Sequence, residues 1–383
     1  MSRRLSILIA TTLELSQQFQ TTLSPPSANP AVAESPNKDN ALPLLSASST
    51  ALKSQVTKLS LLAITSPFTH SAIATVLSDL NTSILPSLVT AALLITPNAY
   101  TKAFHSEIRV LVKSTLKELS VLVQEVKNIV EQKDKAKAED PKRAERQLSQ
   151  SEKDVITVAT GRVWEPCDAL IDVAGKGVIG FVIRRVEEWR NLVKDAVEEI
   201  EEWDPGEGND DFLDDLLSDS ENGEDYGVEN SRRGDQDEEQ KAALQEQKKT
   251  TIRILKPIAQ VFPAIVKNRL STSENPTVPS SRVEKLELLM LNLQSIPNYV
   301  DEVAGALYEA NLENSSRYLM KARACAAKAI DLVVLPWDVN PEDVGDQPTP
   351  EDKFTVWSKT WWKVVDEVSR SIVDGTEKTN TSR

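Results

Sequence analysis

Apolar side chains recur at steps of three and four along almost the whole chain, which is the spacing of one face of an α-helix. The clearest run spans 99–131, with Phe104, Ile108, Leu111, Thr115, Leu119, Leu122, Val126 and Ile129 on one side. At 1.5 Å per residue that helix is about 45–50 Å long. Residues 45–64 and 69–94 read the same way, the second kinked near Pro86. Leu5, Leu8, Ile9, Leu13, Ser16, Phe19 and Leu23 predict an amphipathic first helix. Further helices are predicted at 143–173, 177–203, 237–269, 281–295, 298–312 and 314–334, the fourth opened by a capping box at Ser281 and Glu284. The last, 350–374, is given Thr349 as its N-cap, Pro350 as its first residue and Asp352 in its first turn. Its inward stripe reads Phe354, Trp357, Trp361, Val364, Val365, Val368 and Ile372. Alternating apolar runs joined by hairpin dipeptides are missing. The expected fold is all-α, with long antiparallel helices in two bundles.

Composition sets the boundaries between these elements. Residues 24–43 are rich in Pro, Ser, Ala and Asn and read as a mobile loop, and 133–147 as a charged, solvated connection. The stretch 204–236 is rich in Gly and acid and nearly lacks core-forming side chains. The expected organisation is a first helix and loop over 1–44, an N-terminal bundle over 45–203, an acidic disordered segment over 204–236, a C-terminal bundle over 237–375 and a disordered tail over 376–383.

With 383 residues, 40% of them apolar and only 12 glycines, the chain has a globular composition tilted toward helix. Cys167 and Cys325 are too few for a disulfide framework and suit a reducing compartment. His70 and His105 have no nearby ligand set, so no metal site is expected. The longest apolar run, Leu88 to Ile95, is interrupted by Thr90 and followed by Pro97, well short of a membrane span. The opening MSRRLSILIATTLEL resembles a leader, but Glu14 interrupts it and no small-residue cleavage site follows, so it reads as part of the fold.

Gly175, Gly177 and Gly180 have the G-x-G-x-x-G spacing of a dinucleotide turn. That turn needs a strand before it and a second β-α-β unit. The residues before it instead place Val155, Ala159, Val163, Cys167, Leu170 and Ala174 at helical spacing. Gly175 and Gly177 then fit a helix end and a short turn, with Gly180 inside the next helix where two helices approach. No cofactor is expected. There is no G-x-S-x-G, P-loop, H-E-x-x-H or C-x-x-C pattern, and the chain is expected not to be an enzyme. Cys167, beside Asp168, reads as a packing residue rather than a nucleophile.

The charge is concentrated in one place. From Glu198 to Glu239 there are 19 Asp and Glu against two Arg, a net of −17 within a chain of net −14. Such a window repels nucleic-acid phosphates, and direct DNA or RNA binding is not expected. Phe212, Leu213, Leu216 and Leu217 lie in its middle at i, i+1, i+4 and i+5 among carboxylates. Coiled into a helix they form an acidic docking peptide; otherwise the segment is a solvated loop that tacks onto its own bundle. Ser218, followed by Asp219 and Glu221, has the surroundings of an acidophilic phosphorylation site.

One stretch supports more than a fold class. Thr160, Gly161, Val163, Trp164, Cys167, Asp168 and Leu170 resemble the T-G-x-V-W-x-x-C-D-x-L segment of the Grap- and cyclin-D-interacting protein family (GCIP), the cyclin-D-binding proteins. The helix 193–203 and the acidic run after it fit the same family in order, over about 45–375, whereas 1–44 and the composition of 204–236 depart from it. The resemblance implies two helical bundles of vinculin-like type and a non-enzymatic protein of cytoplasm and nucleus. It implies partners among cyclins or helix-loop-helix regulators, and so a role in cell-cycle progression or transcription. It supplies no catalytic residue, and it implies that Trp164 and Cys167 are core. The alternative is a vinculin-like cytoskeletal or trafficking scaffold.

Overall fold

The computed structural model describes residues 3–24, 40–139, 148–205, 230–271, 280–336 and 351–380. All regular structure among them is helical, as the spacing predicts. Contacts divide the chain into two compact units, Met1–Phe181 with Asn275–Val283, and Val182–Glu274 with Glu284–Arg383.

The first unit begins with α1 (Arg3–Thr22), which packs on α3 (His70–Asp79) and on α5 (Lys102–Glu139). Leu5, Ile9, Thr12 and Ser16 form its buried stripe. α2 (Ala41–Ile64) packs on α4 (Leu85–Leu94). Between α3 and α4 the backbone widens into a π-helical turn, Leu80–Ile84. This is the kink expected near Pro86: proline lacks an amide hydrogen and crowds the carbonyl four residues back, and the extra residue in the turn relieves both. Together 70–94 form a helical run apolar and long enough to cross a bilayer, but more than half of its most apolar stretch is buried in the bundle. α5 buries Phe104, Ile108, Val112, Thr115, Leu116, Leu119, Leu122, Val123, Val126 and Ile129, a wider stripe than predicted, while Leu111 is only half-buried.

α6 (Gln150–Glu202) runs through the glycine motif. It is interrupted at one residue, Gly177, whose φ of 64° and ψ of −167° lie in a region open almost only to glycine. The turn between helices is thus present, compressed to a single residue. At Gly180 an added Cβ would come within 2.5 Å of the Lys176 Cβ, so the crowding expected from a second helix arises from the residue one turn back.

The second unit contains the remainder of α6, then α7 (Asn230–Ala259), the short α8 (Val261–Ile265) with a π-helical turn over Val266–Leu270, α9 (Ser280–Tyr308), α10 (Leu312–Leu332) and α11 (Lys353–Asn380). The predicted break between 295 and 298 does not occur. α9 runs through Pro297, held by buried Leu293, Ile296, Val300 and Val303 on both sides of it. The predicted helix over 237–269 is interrupted at Gln260, between Pro257 and Pro263. Just past the end of α9, Ala310 has a φ of 54°, the Asn311 amide donates to Ala306 O at 2.8 Å, and the Asn311 side chain then caps α10 by accepting from the Asn314 amide at 3.1 Å.

A buried charge organises this unit. Arg269, 3% exposed, donates from Nη1 and Nη2 to the two Asp352 oxygens at 2.6 and 3.1 Å, and from Nε and Nη2 to Val333 O and Val334 O at 2.6 and 2.8 Å. Its guanidinium lies 4.4 Å from the centre of the Phe354 ring. Asp352 also accepts from the Thr355 amide and hydroxyl, both at 2.8 Å, and so caps α11. The cap is Asp352, three residues later than the predicted Thr349, which lies outside the described residues together with Pro350. Phe354, Ser358, Trp361, Val365 and Ser369 form the buried stripe of α11; Val364 is 42% exposed and does not belong to it.

Candidate interaction surface

α6 opens with a capping box not anticipated from the sequence. The Ser149 amide and hydroxyl both donate to Glu152 Oε2 at 2.8 Å, and the Glu152 amide donates back to Ser149 Oγ at 3.3 Å. From there Ile156, Ala159, Val163, Cys167, Leu170 and Val173 face the core. Val155, assigned to that stripe from the sequence, is 46% exposed, and Ile156 takes its place.

The motif residues divide between core and surface along the seam of α6 with α2. Thr160 Oγ1 donates to Ile156 O at 2.7 Å, which leaves its lone pairs for the buried hydroxyl of Ser60 on α2. Two turns farther along, Lys53 Nζ lies 2.7 Å from both Asp168 oxygens and 5.4 Å from the centre of the Trp164 ring. Cys167 is buried. Desolvation, with a smaller push from the Asp168 charge against an opposing pull from Lys53, raises its thiol to about 12. The thiol stays protonated at neutral pH, so it packs and does not attack.

Trp164 corrects the expectation of a core role. It is 36% exposed, beneath the Lys53 ammonium. Val158, Gly161 and Trp164 follow at three-residue steps and so share one ridge of α6. Val158 is 57% exposed, and nothing lies within 4 Å of where a Gly161 Cβ would stand. On α2, Leu61 beside Ser60 is 55% exposed. A glycine inside a helix costs about 1 kcal/mol against alanine. Neither the backbone nor the packing at Gly161 requires one.

The acidic anchors Phe212, Leu213, Leu216 and Leu217, and Ser218, lie outside the described residues. The helix end that precedes them is described. Lys248 Nζ donates to Glu201 O at 2.9 Å and to Trp203 O, satisfying carbonyls at the end of α6. The Trp203 ring meets Tyr308 edge-on at 5.0 Å, and the Tyr308 hydroxyl donates to Glu199 at 2.9 Å. Burial and that bond raise the phenol to about 12. His70 Nε2 lies 3.2 Å from Asp134, while burial and the neighbouring Arg109 charge lower His105. No group of three His, Cys, Asp or Glu suited to a metal occurs among the described residues. Lys53, Ser60 and the exposed ridge escaped the sequence reading. The signal was there in Val155 and Val158, which fall out of phase with the core stripe.

Fold and seam define an all-helical bundle protein whose signature segment turns an aromatic ridge outward. Residues 44–206 match the family described as Grap2 and cyclin-D-interacting, N-terminal. No curated protein matches the chain.

Proposed function

We propose that this is a non-enzymatic interaction protein of cytoplasm and nucleus that regulates cell-cycle or transcription machinery by binding a cyclin or a helix-loop-helix regulator. The observation that carries the reading is the exposed ridge of Val158, Gly161 and Trp164, lying within the segment that matches the family. An exposed tryptophan beside an open helical glycine gives a partner a large anchor and room for close backbone approach. The acidic segment supplies the second element. Phe212, Leu213, Leu216 and Leu217 act as apolar anchors, and the surrounding carboxylates set the association rate and its salt dependence. Phosphate on Ser218 would add to that charge.

The test is affinity capture from the source cell followed by mass spectrometry, with the full chain, a Trp164→Ala variant and a Phe212→Ala/Leu216→Ala variant. A cyclin or helix-loop-helix protein should be retained by the wild type and lost about tenfold or more in either variant. Retention of cytoskeletal or trafficking proteins alone, unchanged in both variants, would replace this reading with the vinculin-like scaffold.

A further inference from the structure

The second unit carries an apolar groove that the reading above does not use. It lies between α9 and α10, has a volume of about 340 Å³, and is lined by Leu288, Asn292, Lys328, Asp331 and Leu332. Leu288 and Leu291 on α9 are 43% and 61% exposed, and Leu335, just past α10, is 39% exposed. Scattered single aliphatics on a surface need no explanation, but a half-exposed leucine in the wall of a concavity does.

The groove is preformed. Asn292 Nδ2 donates to Leu288 O at 2.7 Å, which folds the amide back along its own helix. Beyond the far end, Arg269 grips Val333 O and Val334 O, fixing the chain that carries Leu332 and Leu335. Lys328 and Asp331 stand three residues apart on one side of α10, and among the described residues neither makes an ion pair. The groove therefore offers an apolar floor with one cation and one anion ready on its wall.

The geometry points to a docking groove for one amphipathic helix of a partner protein. Two apolar anchors one turn apart enter between Leu288 and Leu332. An acidic side chain meets Lys328, and a basic one, a turn along, meets Asp331. The volume sits at the lower end of the ligand-pocket range and suits two aliphatic side chains rather than a cofactor. The charge pair selects a helix of mixed charge. A uniformly acidic stretch such as 206–229 would set its carboxylates against Asp331 as well as Lys328.

The experiment pans a phage-displayed library of helix-forming peptides, about 15 residues long, against the full chain, and measures selected peptides by fluorescence anisotropy. Enriched sequences should carry apolar residues at i and i+4 with an acid and a base one turn apart beside them. Leu288→Asp, at a half-exposed position in the groove wall and with the fold checked by circular dichroism, should weaken binding about tenfold or more. Reversing the wall, Lys328→Asp with Asp331→Lys, should weaken it comparably, and a peptide with its two charges exchanged should restore it. A structural role alone would not produce that rescue. Failure to enrich any helix, binding indifferent to Leu288→Asp, or a charge reversal that the exchanged peptide does not restore each overturns the proposal. So does a 206–229 peptide that outcompetes every selected helix, because the groove would then belong to this chain's own acidic segment. Cyclin capture plays no part in these readouts, so the outcome is independent of the function proposed above.

Discussion

Two ion pairs mark the two units, and they differ in everything but their chemistry. Arg269 is 4% exposed along its side chain and meets Asp352 while also holding two backbone carbonyls and stacking on Phe354. Lys53 is 35% exposed, its partner Asp168 is 57% exposed, and its ammonium also lies over the face of Trp164. The first pair is an anchor. Removing Arg269 leaves two carbonyls unpaired and Asp352, itself a third exposed, without its partner; removing Asp352 leaves a buried guanidinium uncompensated. The second pair is a surface feature whose ions are largely hydrated with or without each other. It leaves Trp164 and its neighbours available, and availability is what a recognition face requires.

The largest effect should come from Arg269→Ala. It should lower the stability of the second unit by about 3–5 kcal/mol, read as a fall in urea midpoint by far-ultraviolet circular dichroism. A loss below about 1 kcal/mol would break the comparison, because the buried pair would then behave like the surface one.

Acid should act next, through the same site. The Arg269 guanidinium, helped by the Thr355 bonds and opposed by burial, holds the Asp352 carboxyl at about 2 against an ordinary 3.8. A depressed carboxylate stabilises the folded state above the unfolded value, and that contribution is lost as pH falls from 3.8 toward 2. With Asp352 a third exposed, the loss should be about 1–2 kcal/mol. Subtracting the urea midpoint–pH curve of Asp352→Asn from that of the wild type should isolate it. Parallel curves below pH 4 would show that the carboxylate contributes nothing.

The surface pair should respond weakly and the ridge with opposite sign. Gly161→Ala should raise stability by about 0.5–1 kcal/mol, since it adds a good helix former in open space, while weakening partner capture. A gain in stability with undiminished capture would remove Gly161 from the interface. Lys53→Ala should cost less than about 1 kcal/mol, shrinking further in high salt. A larger or salt-independent loss would mean that the seam is held from the surface after all.

The helices were legible because apolar periodicity is a local property, and α5 and the helical turn at Gly177 needed nothing else. What was misread depended on distant residues. The choice of Asp352 over Thr349 as the cap of α11 is made by Arg269, 83 residues away. Pro297 forfeits a hydrogen bond in α9, but buried side chains on both sides keep the helix whole, and packing outweighs the local rule. Trp164 looks like core by size and chemistry alone. Its phase relative to Val163 and Cys167, both buried, places it at the boundary, where Lys53 from α2 lies over its ring. At the candidate surface, α6's own residues could be read from the chain, whereas the α2 contribution, about a hundred positions earlier, could not.

The docking of α1 bears on how this protein can be cut. The family segment begins at 44, but Leu5, Ile9, Thr12 and Ser16 of α1 are buried, and α1 rests on α3 and α5 within that segment. A recombinant fragment trimmed to the family limits would leave a greasy strip along two helices, and such strips drive precipitation and chaperone capture. The match begins at 44, but a fragment should be cut to keep the first helix, because that helix covers the apolar strip on α3 and α5.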